Sequence, residues 1–176
     1  MPTVLPPTPT SPNVTPTIRA VREVDIPLVL ELLVAMDAED GSSRSLEISA
    51  DHLREVVFGP NQKSDALVAD HAGQLVGIAA YRDSASTLWS RPEIYLDDLF
   101  VRPEFRRCGI GEGLLHKLAG LVIERSATRI ILNVQADNLP AVSFYKSIGA
   151  TIFPDSRACA IAGDPLAQLA SAARLE

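Results

Sequence analysis

One segment of the sequence constrains the fold more than any other: a strand-like run that passes through an arginine- and glycine-rich loop into a helix-like run. The loop, RPEFRRCGIGEG, spans residues 102–113 and follows the run EIYLDDLFV. Beyond it, leucines and a valine recur at helical spacing. A helix start leaves unpaired N–H groups with a partial positive charge, and glycines let a ligand approach the backbone. The segment therefore predicts an anion site, with phosphate as the natural occupant.

Three phosphate-binding patterns compete for this loop. A Walker loop needs GxxxxGK[ST], which the sequence lacks. A dinucleotide fingerprint needs GxGxxG, and Leu114 stands where the third glycine belongs. The pattern that fits is R-x-x-G-x-G, at Arg106, Gly109 and Gly111. Arg106 and Arg107 can add charge-assisted hydrogen bonds to phosphate oxygens.

The charge of the whole chain makes this arginine cluster conspicuous. The 176 residues carry a net charge of -6, and the two cysteines, Cys108 and Cys159, have neither disulfide nor metal-ligand spacing. An acidic balance disfavours nucleic acid as a partner and weakly favours a cationic one. No run approaches the roughly 18 apolar residues of a membrane span. We expect a cytoplasmic protein with no bound metal and no membrane partner.

The chain is predicted to divide into a tail and one globular domain. Residues 1–17 hold six prolines and no charged side chain, which predicts a flexible tail. Residues 18–176 are predicted to form a single domain of mixed α/β order. Its expected elements are a strand at TIRAV, a helix opened by Asp25, a helix capped by Ser49, a hairpin of DALVAD and QLVGIAAYRD, the strand EIYLDDLFV, the helix after the loop, the strand RIILNV, the helix LPAVSFYKSIG, the strands ATIF and RACAIA, and a terminal helix in DPLAQLASAARL.

Two motifs in the right order resemble the GNAT superfamily of N-acyltransferases. The first is the R-x-x-G-x-G loop. The second resembles N-x-x-A-x-x-F-Y-x-x-x-G, at Asn138, Ala141, Phe144, Tyr145 and Gly149. Residues 18–162 look most like the spermidine/spermine acetyltransferase branch, which includes enzymes acting on thialysine. The resemblance implies a layered α/β (α+β) fold with a mixed, mostly antiparallel central sheet, helices on both faces and a splayed central strand pair.

Acetyl-CoA is the cofactor that this resemblance implies. It assigns the pantetheine arm to the backbone of Leu99, Phe100 and Val101. It assigns the pyrophosphate to the loop residues Arg106, Arg107, Cys108, Gly109, Ile110, Gly111 and Glu112. The second motif adds Asn138, Pro140, Ala141 and Tyr145. The glycine that usually follows the loop arginine in the family is Arg107 here, which is where this chain leaves the pattern.

An acceptor amine needs a base, because a primary ammonium has a pKa of ~10.4 and cannot attack a thioester until it loses a proton. The resemblance points to Asp97 as the substrate-side acid, with Asp98 close behind. Regular strand alternation puts Asp97 with Tyr95 and Leu99 on one face and Asp98 on the other. The two acids therefore cannot share a role unless the strand bulges. The structural alternative for one of them is solvation or a bond to a neighbouring arginine.

The remaining candidates also have two interpretations each. Tyr145 is the candidate general acid for the leaving thiolate, or an aromatic packed beside Phe144. Glu39 and Asp40 match the place where amines enter in the family, or form a solvated loop. Cys108 is interpreted as structural, because direct transfer needs no protein nucleophile.

The function predicted from these residues is acetyl-CoA-dependent N-acetyl transfer to a small primary amine by direct attack. The acceptor is a polyamine, a diamine or an amino-acid-like amine. A protein or peptide acetyltransferase and a non-catalytic acyl-CoA sensor are the alternatives. The resemblance also implies a homodimer.

Overall fold

The computed structural model describes residues 15–40, 48–85, 91–155 and 161–172. They form two compact units, the first ending at Leu132 and the second beginning at Asn133. Most of the predicted tail, and most of the strand predicted at 157–162, lie outside the described residues. Every helix within the described residues is too short or too polar to span a bilayer.

A five-stranded open sheet frames the first unit, counted over the described residues. The elements are β1 Thr17–Ala20, α1 Ile26–Asp40, α2 Ala50–Phe58, β2 Asp65–His71, β3 Gln74–Ala85, β4 Pro92–Val101, α3 Ile110–Glu124 and β5 Ile130–Leu132. The strands lie in the order β1-β2-β3-β4-β5, with antiparallel neighbours from β1 to β4 and β5 parallel to β4. The predicted mixed, mostly antiparallel sheet is confirmed.

The β2–β3 hairpin closes through a two-residue turn whose central residues both have positive φ. Ala72 has φ 52° and Gly73 has φ 88°, between the paired ends His71 and Gln74. Turns of this kind match the twist of the flanking strands. The Asp70 carboxylate supports the turn by accepting a hydrogen bond from the Gly73 amide at 2.8 Å. The predicted hairpin is confirmed.

Strand β4 contains a β-bulge at the paired acids. Against β3, Ala80 pairs with Asp98 whereas Tyr81 pairs with Leu96. Asp97 is therefore the extra residue that has no partner of its own in the ladder. The bulge shifts the alternation of the strand by one residue, so the side chains before and after it no longer follow the regular pattern.

The other edge of β4 is only partly paired. β5 pairs with Ile94–Leu96, and the stretch from Asp97 to Val101 has no strand neighbour on that side within the described residues. A buried ion pair lies beside the paired segment, where Arg129 Nε donates to Glu93 Oε2 at 2.6 Å. The pairing of β4 with β5 therefore ends at Leu96 and Leu132, and the splayed strand pair stays a prediction.

Helices cover both faces of the sheet, as predicted. On one face, α1 and α2 share a core with β2, β3 and β4, formed by Ile26, Val29, Leu32, Leu33, Leu53, Ala66, Val68, Leu75, Ile78 and Phe100. On the opposite face, α3 packs on Gly77, where an added Cβ would lie 3.4 Å from Ile110 Cγ2 and from Leu114 Cδ1. Because Gly77 and Ile78 are consecutive in β3, they point to opposite faces.

A buried carboxylate joins three elements of the first unit. Asp25, which is 2% exposed, accepts hydrogen bonds from Arg19 Nη1 at 2.6 Å and from the Arg22 amide at 2.8 Å. Arg19 also donates to Asp70 at 2.8 Å, so β1, β2 and the start of α1 meet at one guanidinium. Hydrogen bonds from Arg19 hold the pKa of Asp25 well below its ordinary value.

The second unit contains α4 Leu139–Ser147 and α5 Gly163–Ala172 among the described residues. Gly149, at φ 88°, ends α4 as predicted, and the Ala150 amide donates to the Tyr145 carbonyl at 3.0 Å. This hydrogen bond belongs to a Schellman closure of the helix. The strand predicted at ATIF is wrong: residues 150–153 join no ladder in the described part of the chain, and the Ala150 amide already serves the helix end.

Candidate active site

The loop after β4 forms a compact turn that leads directly into α3. A 3₁₀ turn at Pro103–Phe105 is followed by Arg107 at φ 60° and Gly109 at φ 76°, both in the left-handed region. The first bond of α3 runs from the Gly113 amide to the Gly109 carbonyl at 2.8 Å. The amides at 110–112 therefore have no acceptor within the helix. They lie at the N-terminus of α3, which is the positive end of the helix dipole. This arrangement can hold an anion.

Arg107 occupies a backbone conformation that glycine adopts without strain. For a residue with a Cβ, the left-handed region costs roughly 1–2 kcal/mol. The position is the one at which the sequence departs from the family's usual glycine. Arg107 therefore adopts the strained conformation that the turn requires, and its guanidinium is exposed at the predicted phosphate loop.

The side chain of Arg106 binds to the protein rather than projecting freely from the loop. Its Nε donates to the Val101 carbonyl at 2.9 Å, and its Nη2 donates to Glu39 Oε2 at 2.5 Å. Its guanidinium also lies 5.7 Å from the centroid of the Phe100 ring. Glu39, predicted to attract the amine, thus lies at the predicted cofactor loop. Nothing is described of the Asp40 side chain.

A cleft of about 300 Å³ opens between α1, α2 and strands β2 to β4. Its lining consists of Val29, Leu33, Ile48, His52, Leu53, Val56, Val57, Ser64, Asp65, Ala66, Ile78, Ala80, Arg82, Asp97 and Asp98. Both predicted acids therefore border the same cleft. Regular alternation would have separated them, and the bulge at Asp97 is the physical reason that they meet.

Asp97 has an arginine partner within the cleft. Arg82 Nε donates to Asp97 Oδ1 at 3.2 Å, and the Arg82 guanidinium lies 4.4 Å from the centroid of the Tyr95 ring. A bond to a neighbouring arginine is the structural alternative predicted for one of the two acids, and Asp97 makes such a bond. Both side chains remain partly exposed, at 43% for Arg82 and 31% for Asp97. Asp98 lies half-buried beside them.

Tyr145 lies on α4 in the second unit, where it is 8% exposed. Its ring is 5.4 Å from that of Phe144, at an interplanar angle of 55°. Burial raises the pKa of the Tyr145 hydroxyl, so the phenol stays protonated at neutral pH. In the same unit, Asn138 Oδ1 accepts from the Ala141 amide at 3.2 Å and caps α4, with Pro140 in its first turn. The roles assigned to these residues remain predictions.

Sequence reasoning missed Arg82 and the apolar wall of the cleft. Arg82 is one charged residue near the end of a strand and belongs to no motif. The apolar residues of α1 and α2 were recognised by their helical period, but that period predicts burial without telling a core from a cleft wall. The register of β3 against β4 is the signal that identifies Arg82, and a single sequence does not contain it.

Known proteins resemble this chain in both sequence and structure. The family profile described as Acetyltransferase (GNAT) family matches residues 32–150. A thialysine N-epsilon-acetyltransferase from Sus scrofa is 31% identical over 141 residues, which cover 76% of this chain and 82% of the relative. An L-ornithine N5-acetyltransferase from Arabidopsis thaliana is 28% identical over 109 residues, covering 62% of this chain and 45% of the relative. An integron cassette protein from the mobile metagenome of V. cholerae superposes with a TM-score of 0.72 at 25% identity, covering 88% and 96% of the two chains.

Proposed function

This chain belongs to the GNAT acetyltransferase family, and on that premise we propose that it transfers an acetyl group from acetyl-CoA to a primary amine of a small molecule. The observation that carries the proposal is the cleft in which Asp97 and Asp98 meet, on the strand that leads into the anion loop. The names of the thialysine and ornithine relatives support an amine of low molecular weight. We further propose that the enzyme acts in the cytoplasm as a homodimer.

The donor set of the loop fits a pyrophosphate. Two left-handed residues lead into a helix start, whose first backbone amides are a suitable site for phosphate oxygens. We assign the pyrophosphate to residues 106–112 and the pantetheine arm to the unpaired edge at 99–101. The second motif completes the predicted cofactor site with Asn138, Pro140, Ala141 and Tyr145. When bound, acetyl-CoA supplies the acetyl group as a thioester.

The acids of the cleft prepare the acceptor. Asp97 and Asp98 attract the ammonium form and remove one proton, directly or through water, so that the neutral amine can attack. The new C–N bond replaces the C–S bond, and the amine's second proton leaves as the amide forms. Tyr145 donates a proton to the leaving thiolate, a role to which a buried, protonated phenol is suited. One ammonium and one thioester thus give an amide, a thiol and a released proton.

The test measures thiol release from acetyl-CoA with polyamines, diamines, diamino acids and peptides as acceptors. We expect turnover with at least one small amine, and about tenfold or greater losses in kcat/KM for Asp97→Asn and Asp98→Asn near neutral pH. The losses should shrink toward pH 10, where the free amine forms without a base. Asp51→Asn is the matched control, because this exposed acid of α2 lies outside the cleft. Turnover with peptides alone would replace the small-amine proposal.

A further inference from the structure

The acceptor cleft carries a positive charge that the transfer of an acetyl group does not require. Arg82 on β3 lines the cleft and donates through Nε to Asp97, and its guanidinium lies over the Tyr95 ring. A guanidinium has five N–H donors in a planar fork, so the single bond to Asp97 leaves donors available for a second anion. The side chain is 43% exposed, which leaves it accessible to a ligand in the cleft.

The charges that face the cleft balance a particular kind of acceptor. Asp65 also lines the cleft, but Arg125 pairs with it at 3.0 Å. The other acidic and arginine side chains of the lining are Asp97, Asp98 and Arg82. A molecule with two ammonium groups and one carboxylate offers a group of opposite charge to both the carboxylates and the guanidinium of this set. A polyamine carries only positive groups, so it has no anionic group that could pair with Arg82.

The spacing along the sheet separates the backbone of Arg82 from that of Asp98. The ladder partner of Asp98 is Ala80, and Arg82 lies two residues further along β3, roughly 7 Å away at about 3.3 Å per residue. A terminal amine at Asp98 and a carboxylate at Arg82 would therefore be joined by several methylene groups. The apolar walls of the cleft, including Leu33, Leu53 and Ile78, provide surface for such a chain.

We propose that Arg82 binds the carboxylate of the acceptor, so that the enzyme selects diamino acids with a terminal amine over diamines and polyamines. Carboxylate recognition by a planar guanidinium provides both energy and orientation. The inference rests on the proposed function and adds a specificity-determining residue to it.

The test compares L-lysine with cadaverine and L-ornithine with putrescine, because each pair differs only in the α-carboxylate. We expect wild-type protein to prefer the amino acid by about tenfold or more in kcat/KM. Arg82→Gln should lower kcat/KM for the amino acids by about tenfold or more, mainly through KM, and change it for the diamines by less than about threefold. Arg82→Lys keeps the charge but lacks the planar fork of donors, so its kcat/KM for the amino acids should lie between those of wild type and Arg82→Gln.

The control and the contrary outcomes separate this inference from the proposed function. Arg54→Gln removes an arginine that pairs with Asp51 and Glu23 outside the cleft, and it should leave the amino-acid preference unchanged. An equal loss for both members of a pair in Arg82→Gln would show that Arg82 only positions Asp97. A wild-type preference for cadaverine would overturn the inference while supporting the proposed function. If no amine is acetylated, calorimetric titration with L-lysine and cadaverine still decides it, and equal affinities would refute it.

Discussion

Replacing Arg107 with glycine is expected to stabilise the protein. At φ 60°, a residue with a Cβ is disfavoured by roughly 1–2 kcal/mol. Glycine avoids this strain but gives the unfolded chain more freedom, which offsets about 0.5–1 kcal/mol of the gain. Arg107 is exposed, so the substitution removes little packing. The expected net gain is about 0.5–1 kcal/mol, or a rise in Tm of about 1–4 °C.

Thermal unfolding followed by circular dichroism measures this effect, with Arg107→Ala as the comparison. Alanine removes the same charge but keeps a Cβ, so any difference between the two variants reports the backbone conformation. Arg107→Gly should melt above wild type, and Arg107→Ala should melt at or below it. Both variants should bind CoA more weakly and to the same extent, because both lose the same positive charge. Equal melting temperatures for the two variants would refute a left-handed backbone at Arg107 and with it the described turn.

Three further predictions concern the proposed general acid Tyr145, the ion pair of Asp25 with Arg19, and the contact of Glu39 with the loop. Tyr145→Phe should lower kcat about tenfold or more in steady-state assays and leave the KM for acetyl-CoA unchanged, whereas a mere packing role would leave kcat intact. Asp25→Asn should cost about 3 kcal/mol in urea denaturation at pH 7, because it leaves the Arg19 guanidinium without its buried carboxylate. The pKa of Asp25 is lowered in the folded protein. The stability that its carboxylate contributes is therefore present above the unfolded pKa of about 3.9 and is lost as the pH falls through the folded pKa. A cost of Asp25→Asn that stays unchanged below pH 4 would contradict the assignment. Glu39→Gln should tighten CoA binding about two- to fivefold in calorimetric titrations, because it weakens the competition for Arg106 at the loop; weaker binding would instead indicate that Glu39 positions Arg106.

The elements that local signals specify agree with the sequence-based predictions. Ser49 caps α2 by accepting a hydrogen bond from the His52 amide at 3.1 Å, and Gly149 ends α4 in the left-handed region. Both signals act over a few consecutive residues, so neither depends on the rest of the fold. The strand at ATIF failed because its apolar pattern favours a strand, whereas the closing bond of the preceding helix uses the first amide of that run.

The sequence alone determined the family and the strand–loop–helix unit, because the motifs behind both consist of residues that lie close together in the chain. Only the tertiary structure decided that Asp97 and Asp98 share a cleft with Arg82, since the bulge and the register between β3 and β4 bring them together. It also decided that Arg106 bonds to Glu39, 67 residues away in the chain. Contacts of this kind depend on how distant segments pair and pack, and no local pattern records them.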